Sequence, residues 1–152
     1  MAGWWSYHHI ARLGTVIDGD TITAMYQLKP VKIRLSAVNA PELYDYGHHV
    51  KQTCGQESKD ELVKLLNTKW LYVQRDGDDK DRYGRFIRAV FTAKLIDVQE
   101  ELINDGWAVP QYHSSRGAVY HELHQAAMEA KRGWFDRENN CKPLIAEGPK
   151  VD

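Results

Sequence analysis

The stretch Ile33-Arg34-Leu35-Ser36-Ala37-Val38-Asn39-Ala40-Pro41-Glu42 (IRLSAVNAPE) reads as a strand that runs into a proline turn and ends on a carboxylate. Together with Val31 upstream, Ile33, Leu35 and Ala37 alternate with Lys32, Arg34 and Ser36, the two-residue period of a half-buried strand. Arg34 therefore points away from the apolar face. Asn39 and Glu42 flank the turn, so an arginine, an amide and a carboxylate gather near one strand end.

Upstream, Val16-Ile17-Asp18-Gly19-Asp20-Thr21-Ile22 breaks at Gly19, which predicts two strands, Ile10 to Val16 and Thr21 to Leu28, meeting at a tight Asp-Gly turn. Downstream, residues 43–54 form a loop rich in Tyr, His and Gly. Leu62, Leu65 and Leu66 then recur at helical spacing over Gln56 to Leu66. Trp70 to Val73 and Phe86 to Phe91 are two further strands, joined by the polar segment from Arg75 to Arg85. Asp97 with Glu100 three residues on opens a short helix that stops near Gly106. A third helix is expected over Val119 to Arg132, with Gly133 at its end. Three strands, a helix, two strands and two helices suggest an α+β fold, a five-stranded OB-fold β-barrel with about three helices. The expected organisation is one domain over residues 1–152, with its core at about 10–135 and a loose tail at about 143–152.

The chain has 152 residues, 43% hydrophobic and 27% charged, enough to bury a sizeable core without staples. No apolar run approaches the length of a membrane span. The start, MAGWWSYHHIARLG, lacks the basic-then-apolar layout of a signal peptide, so as written the chain would stay where it is made. A leader trimmed away would leave no trace. A net charge of −1 argues against coating nucleic acid by bulk electrostatics and confines any polyanion site to a local patch. Cys54 and Cys141 either close one long loop or remain free thiols.

The candidate chemistry lies at strand ends and turns. Asp18 and Asp20 flank a glycine, Asn39 and Glu42 flank the proline turn, and Asp81 and Arg85 sit in DRYGR. Hard cations take oxygens from carboxylates, amides and backbone carbonyls, so the first two turns could share one ion. Asp-Gly and Asn-Ala-Pro are equally ordinary turn formers, and on spacing alone that is the commoner explanation. Two arginines with a glutamate are also what phosphodiester hydrolysis asks for: a carboxylate to take a proton from water, and guanidinium forks to offset charge on the pentavalent phosphate.

VIDGDTI, IRLSAVNAPE, GQESKDEL, DRYGRFIRAVF, DVQEELINDGWA and a late helix ending in KRGW occur in the order and spacing of the staphylococcal nuclease (thermonuclease) family, which this chain resembles over about residues 10–135. By that resemblance Arg34, Glu42 and Arg85 match the catalytic arginine, glutamate and second arginine. Glu42 would be the general base for the attacking water, and the arginines would stabilise the transition state and the leaving oxygen. Asp20 matches a calcium-ligand aspartate, Asn39 falls at a second ligand position, and Ala40 falls where the family lends a backbone carbonyl. Arg82 and Tyr83 match positions facing the substrate phosphate, and Tyr112 matches one that stacks near the base. The implied activity is calcium-dependent cleavage of DNA and RNA with little sequence preference, leaving 3′-phosphate ends. The implied state is a monomer without a membrane partner, or a component of a larger assembly.

Asn39 departs from the pattern, because the family carries aspartate there and an amide offers one oxygen and no charge. Calcium should bind more weakly, or a different divalent ion should serve. Asp18 and the stretch Asp76-Asp78-Asp79 are candidates for compensation. The alternative is a catalytically weak or inactive nucleic-acid-binding or protein-interaction domain on the same barrel. Zinc held by His48, His49 and Cys54, or by His121 and His124, is disfavoured by the lack of paired Cys/His spacing. His124 reads as a packed, hydrogen-bonded core histidine. The tryptophans are expected in the core, except Trp4 and Trp5, which either pack on the barrel or mark a contact surface.

Overall fold

The computed structural model describes residues 2–41, 54–112 and 114–141. Five strands, β1 (Ile10–Asp18), β2 (Thr21–Tyr26), β3 (Lys29–Leu35), β5 (Trp70–Lys80) and β6 (Phe86–Thr92), close a barrel in the order β1-β2-β3-β6-β5. All pairings are antiparallel except β3 with β6, which run parallel with Ile33 opposite Phe86 and Arg34 opposite Ile87. The Asp18-Gly19 turn joins β1 to β2 as expected. Gly19 is required there because a Cβ would lie 2.2 Å from Ser58 Oγ and 2.7 Å from the Ala40 Cβ. A two-residue ribbon of β4 (Val38–Asn39) and β7 (Val109–Pro110) lies outside the barrel.

Ile22, Ile33, Leu35, Leu71, Val73 and Val90 fill the barrel, and α2 (Gly55–Leu65) and α3 (Val98–Asn104) bring Leu62, Leu102 and Ile103 onto it. Gln99 is fully buried, yet it is satisfied. Its amide donates to the carbonyls of Ser36 (3.3 Å) and Arg88 (3.1 Å) and accepts from the Val90 amide (3.1 Å), stitching α3 to the β3–β6 seam.

The described residues hold five α-helices rather than about three. Helix α1 (Ala2–His9) was not anticipated, since AGWWSYHH has no apolar period. The strand expected over Trp70 to Val73 runs on to Lys80. The buried Arg88 needs an acceptor, and its Nη2 donates to Asp79 Oδ1 at 2.7 Å, which holds the Asp79 carboxyl below its usual range. The expected helix from Val119 to Arg132 is two, α4 (Ser115–Val119) and α5 (His121–Glu129), broken at Tyr120. It begins early because Ser114 caps α4 through the Arg116 amide. Asp97 caps α3 as expected, accepting from the Glu100 amide at 3.0 Å. The tail at 143–152 lies outside the described residues.

Cys54, just before α2, forms a disulfide with Cys141. Trp134 is buried, whereas Trp70 is half exposed, a correction to the core expected of it. His124 is packed in α5 as foreseen, but its Nδ1 has no hydrogen-bond partner. Burial, and then the nearby His121, pushes its pKa below the ordinary value. The unfolded chain therefore binds the extra proton first as pH falls below about 6.5, so stability is full above that pH and declines beneath it. Urea unfolding of the protein and of His124→Phe at pH 5 and pH 7 is expected to show the larger pH loss in the parent.

Candidate active site

Arg34 leaves the outer face of β3 and turns toward β4. Its Nη1 donates to the carbonyls of Leu35 and Val38, the second at 2.8 Å, and its Nη2 donates to Asn39 Oδ1 at 2.6 Å. The same Nη2 lies 3.3 Å from the buried Asp20 carboxylate. Asp20 Oδ2 also accepts from the Ala40 amide at 3.0 Å, and Oδ1 accepts from the Thr21 hydroxyl at 3.2 Å. Asp18 Oδ1 accepts the Asp20 amide at 3.1 Å, closing the turn.

Arg85 is fixed from the other side. Asp81 takes its Nε at 2.6 Å on one oxygen and its backbone amide at 3.0 Å on the other, where it also takes the Tyr83 amide at 2.9 Å. Partial burial opposes ionisation of Asp81, but these hydrogen bonds and the guanidinium charge outweigh it and hold the carboxyl below its usual range. Arg85 Nη1 donates to the Thr21 hydroxyl at 3.3 Å. A continuous line thus runs Arg85, Thr21, Asp20, Arg34. Both arginines open onto one cavity of about 520 Å³, whose wall also carries Asp76, Asp78, Asp81 and Gln111. The acidic stretch that the sequence left unplaced therefore contributes Asp76 and Asp78 to this pocket, with Asp76 held by the Ser114 hydroxyl at 3.1 Å.

Arg82 and Tyr83 form the exposed turn beside Arg85; Arg82 Nη2 donates to the Tyr83 hydroxyl at 2.7 Å, and both guanidiniums lie within 6 Å of the Tyr83 ring centre, at 4.9 and 5.6 Å. Tyr112 is not in the cavity wall; its hydroxyl bonds His121 Nδ1 at 2.7 Å. Glu42, His48 and His49 lie outside the described residues. Sequence reasoning missed two linking residues. Thr21 sat inside VIDGDTI as a plain strand former. Gln111, whose Nε2 donates to Asn39 Oδ1 at 2.9 Å, follows a buried pair and shows no pattern at all.

Asp20, the Asn39 side chain and the Ala40 backbone offer oxygens of the kind a hard divalent cation prefers. Asp20 and Asn39 are engaged by Arg34, so a cation would enter as the guanidinium turns out toward the cavity. Among the described residues no group of three His, Cys, Asp or Glu side chains is spaced to hold a metal. Asn39 Oδ1 already takes two donors, Arg34 and Gln111, which fills its lone pairs. Asn39→Asp adds a charge and a second oxygen that can face a cation while the first keeps its partners. Calorimetric titration of this variant with calcium is expected to show binding about tenfold tighter, roughly 1.4 kcal/mol; unchanged affinity would remove residue 39 from the ligand set.

A family model described as "Staphylococcal nuclease homologue" matches residues 32–135. Over 139 residues the chain is 34% identical to an "Uncharacterized endonuclease" of Escherichia coli O157:H7, covering 88% of this chain and 82% of that protein. It is 29% identical to a "Thermonuclease" of Staphylococcus hyicus, covering 77% and 68%. It is 25% identical to a "Micrococcal nuclease" of Shigella flexneri, covering 84% and 74%.

Proposed function

The chain belongs to the staphylococcal nuclease family and is a hydrolase of the nuclease class, and from that premise we propose that it cleaves phosphodiester bonds of DNA and RNA with little sequence preference, leaving 3′-phosphate ends. The observation that supports this reading is the pair of guanidiniums, Arg34 and Arg85, linked through Thr21 and Asp20 and opening on one cavity. A phosphate under attack by water gathers charge on its equatorial oxygens and then on the leaving oxygen. Two guanidinium forks answer both positions, and Arg85, held in place by Asp81, needs little reorganisation during the reaction.

In this reading Arg34 exchanges its contacts with Asn39 and Asp20 for the scissile phosphate. Arg85, held by Asp81, meets the leaving 5′ oxygen. Glu42, one residue beyond Pro41, takes the proton from the attacking water. Arg82 and Tyr83 contact a neighbouring phosphate at the rim, and Tyr112 stacks near a base. A divalent cation of the calcium type, held by Asp20 with Asn39 and Ala40, would supply Lewis-acid charge at the phosphate.

Digestion of plasmid and of single-stranded DNA across a calcium series, with manganese, magnesium and chelator lanes and a Glu42→Gln control, tests the proposal. Cleavage that needs a divalent ion and is lost in the control is the expected result. DNA binding without cleavage at any ion concentration would overturn it and leave a binding domain.

A further inference from the structure

The charge of this chain is unevenly placed. Residues 1–17, 21–41 and 62–75 contain no aspartate or glutamate, although the chain has 21 of them, and they hold seven of its 20 lysines and arginines. These segments build β1 as far as its last residue but one, all of β2 and β3, and the first half of β5. On the outside of the barrel they form one cross-strand row: Trp70 on β5 faces Arg12 on β1, Arg12 faces Met25 on β2, and Met25 faces Pro30 on β3. The row is open, with Trp70 50% and Met25 47% exposed and Arg12 exposed beside them. Lys69 Nζ sits 5.9 Å from the Trp70 ring centre. Tyr72 shares the outer face of β5, and Trp5 of α1 packs on it with ring centres 5.2 Å apart. Among the described residues no ion pair includes Arg12, Lys32 or Lys69.

The row also leads somewhere. Pro30, Lys32 and Arg34 alternate along the outer face of β3, so the distance from the row to the arginine of the site is four residues, about 13 Å. We propose that the Trp70–Arg12–Met25 row, continued by Lys32 toward Arg34, is a platform that holds single-stranded nucleic acid outside the cleavage pocket. The inference rests on the nuclease reading above for its direction of travel. Aromatic rings stack on bases of any sequence, whereas the isolated cations between them meet the phosphates. The bases of an intact duplex are stacked and turned inward, out of reach of Trp70. Among the described residues this row carries no acid and Arg12, Lys32 and Lys69 have no carboxylate partner beside the exposed rings, which suits a polyanion with free bases better than an acidic or neutral protein.

Fluorescence anisotropy of a labelled oligothymidylate about 12 nucleotides long, within the site sizes of barrel domains that bind single strands, tests this. The whole protein is used in chelator, where no divalent ion supports cleavage. Trp70→Ala and Arg12→Glu are each expected to raise Kd about tenfold, and Arg12→Glu also to flatten the salt dependence. Both positions are exposed, and circular dichroism checks the fold of each variant. Cleavage of a dinucleotide, too short to reach the row, is expected to be unchanged in Trp70→Ala. Wild-type affinity in both row variants overturns the platform, as does equally tight, Trp70-dependent binding of the duplex. A row variant that alters only the sedimentation of the protein overturns it in favour of contact between copies. Absence of cleavage with any metal, while oligonucleotide binding still depends on Trp70, sinks the nuclease reading and supports the platform.

Discussion

Arg85→Ala is expected to lower kcat roughly 10²–10³-fold while KM changes little, the loss typical of removing one fixed donor to developing charge. The geometry explains why one side chain should matter this much. Arg85 is braced twice by Asp81, through its Nε and its own backbone amide, and touches Thr21 at the far end. It thus arrives at the cavity already aimed. Arg85→Lys should recover little, because an ammonium cannot keep the bond to Asp81 and still present a planar fork. Stability separates this outcome from unfolding: the Arg85–Asp81 pair is partly exposed, and such pairs contribute about 1 kcal/mol or less. A steady-state assay with a thermal melt on the same sample decides the matter. A variant with near-normal kcat would remove Arg85 from the reaction.

The second large effect concerns the disulfide. Cys54 and Cys141 are separated by 87 positions in sequence, and closing a loop of that length restricts the unfolded chain by about 4–5 kcal/mol on the chain-entropy account. In a 152-residue protein 1 kcal/mol corresponds to about 2–4 °C in Tm. The Cys54→Ser, Cys141→Ser double variant should therefore melt on the order of 10 °C below the oxidised parent, and reductant should shift the parent alike. A melt insensitive to both changes would show that the cross-link adds nothing to the folded state. Cleavage at a temperature well below both transitions should be preserved, because neither sulfur borders the cavity.

Much of the barrel is legible in the sequence because its strands are two-sided. Ile33 and Leu35 go in while Lys32 and Arg34 go out, and the period declares both. The end of β5 was not legible, since Arg75-Asp76-Gly77-Asp78-Asp79-Lys80 has the composition of a loop and is held as strand by a buried arginine on the neighbouring strand. Helix α1 was hidden for a related reason. Its aromatics pair with one another, Trp4 with His8 and Trp5 with His9, and no apolar stripe results. At the site, motif spacing brought Arg34, Arg85, Asp20 and Asn39 into consideration, and the described geometry joins them. The bonds that join them were not readable, because Thr21 and Gln111 act through single hydrogen bonds rather than through any repeating pattern.

The parallel seam between β3 and β6 has a consequence for how the protein comes into being. The first three strands form a local meander, but its edge on β3 stays open until β6 has been made, with α2 and the whole of β5 between them in sequence. Such non-local pairing comes late and slowly, and until then it leaves an unpaired strand edge that invites association with other chains. Arg34 lies on one side of this seam and Arg85 immediately precedes the other. On the proposed reading of the two arginines, a half-made chain carries no working pair, and cleavage has to wait until β6 has been made and docked on β3.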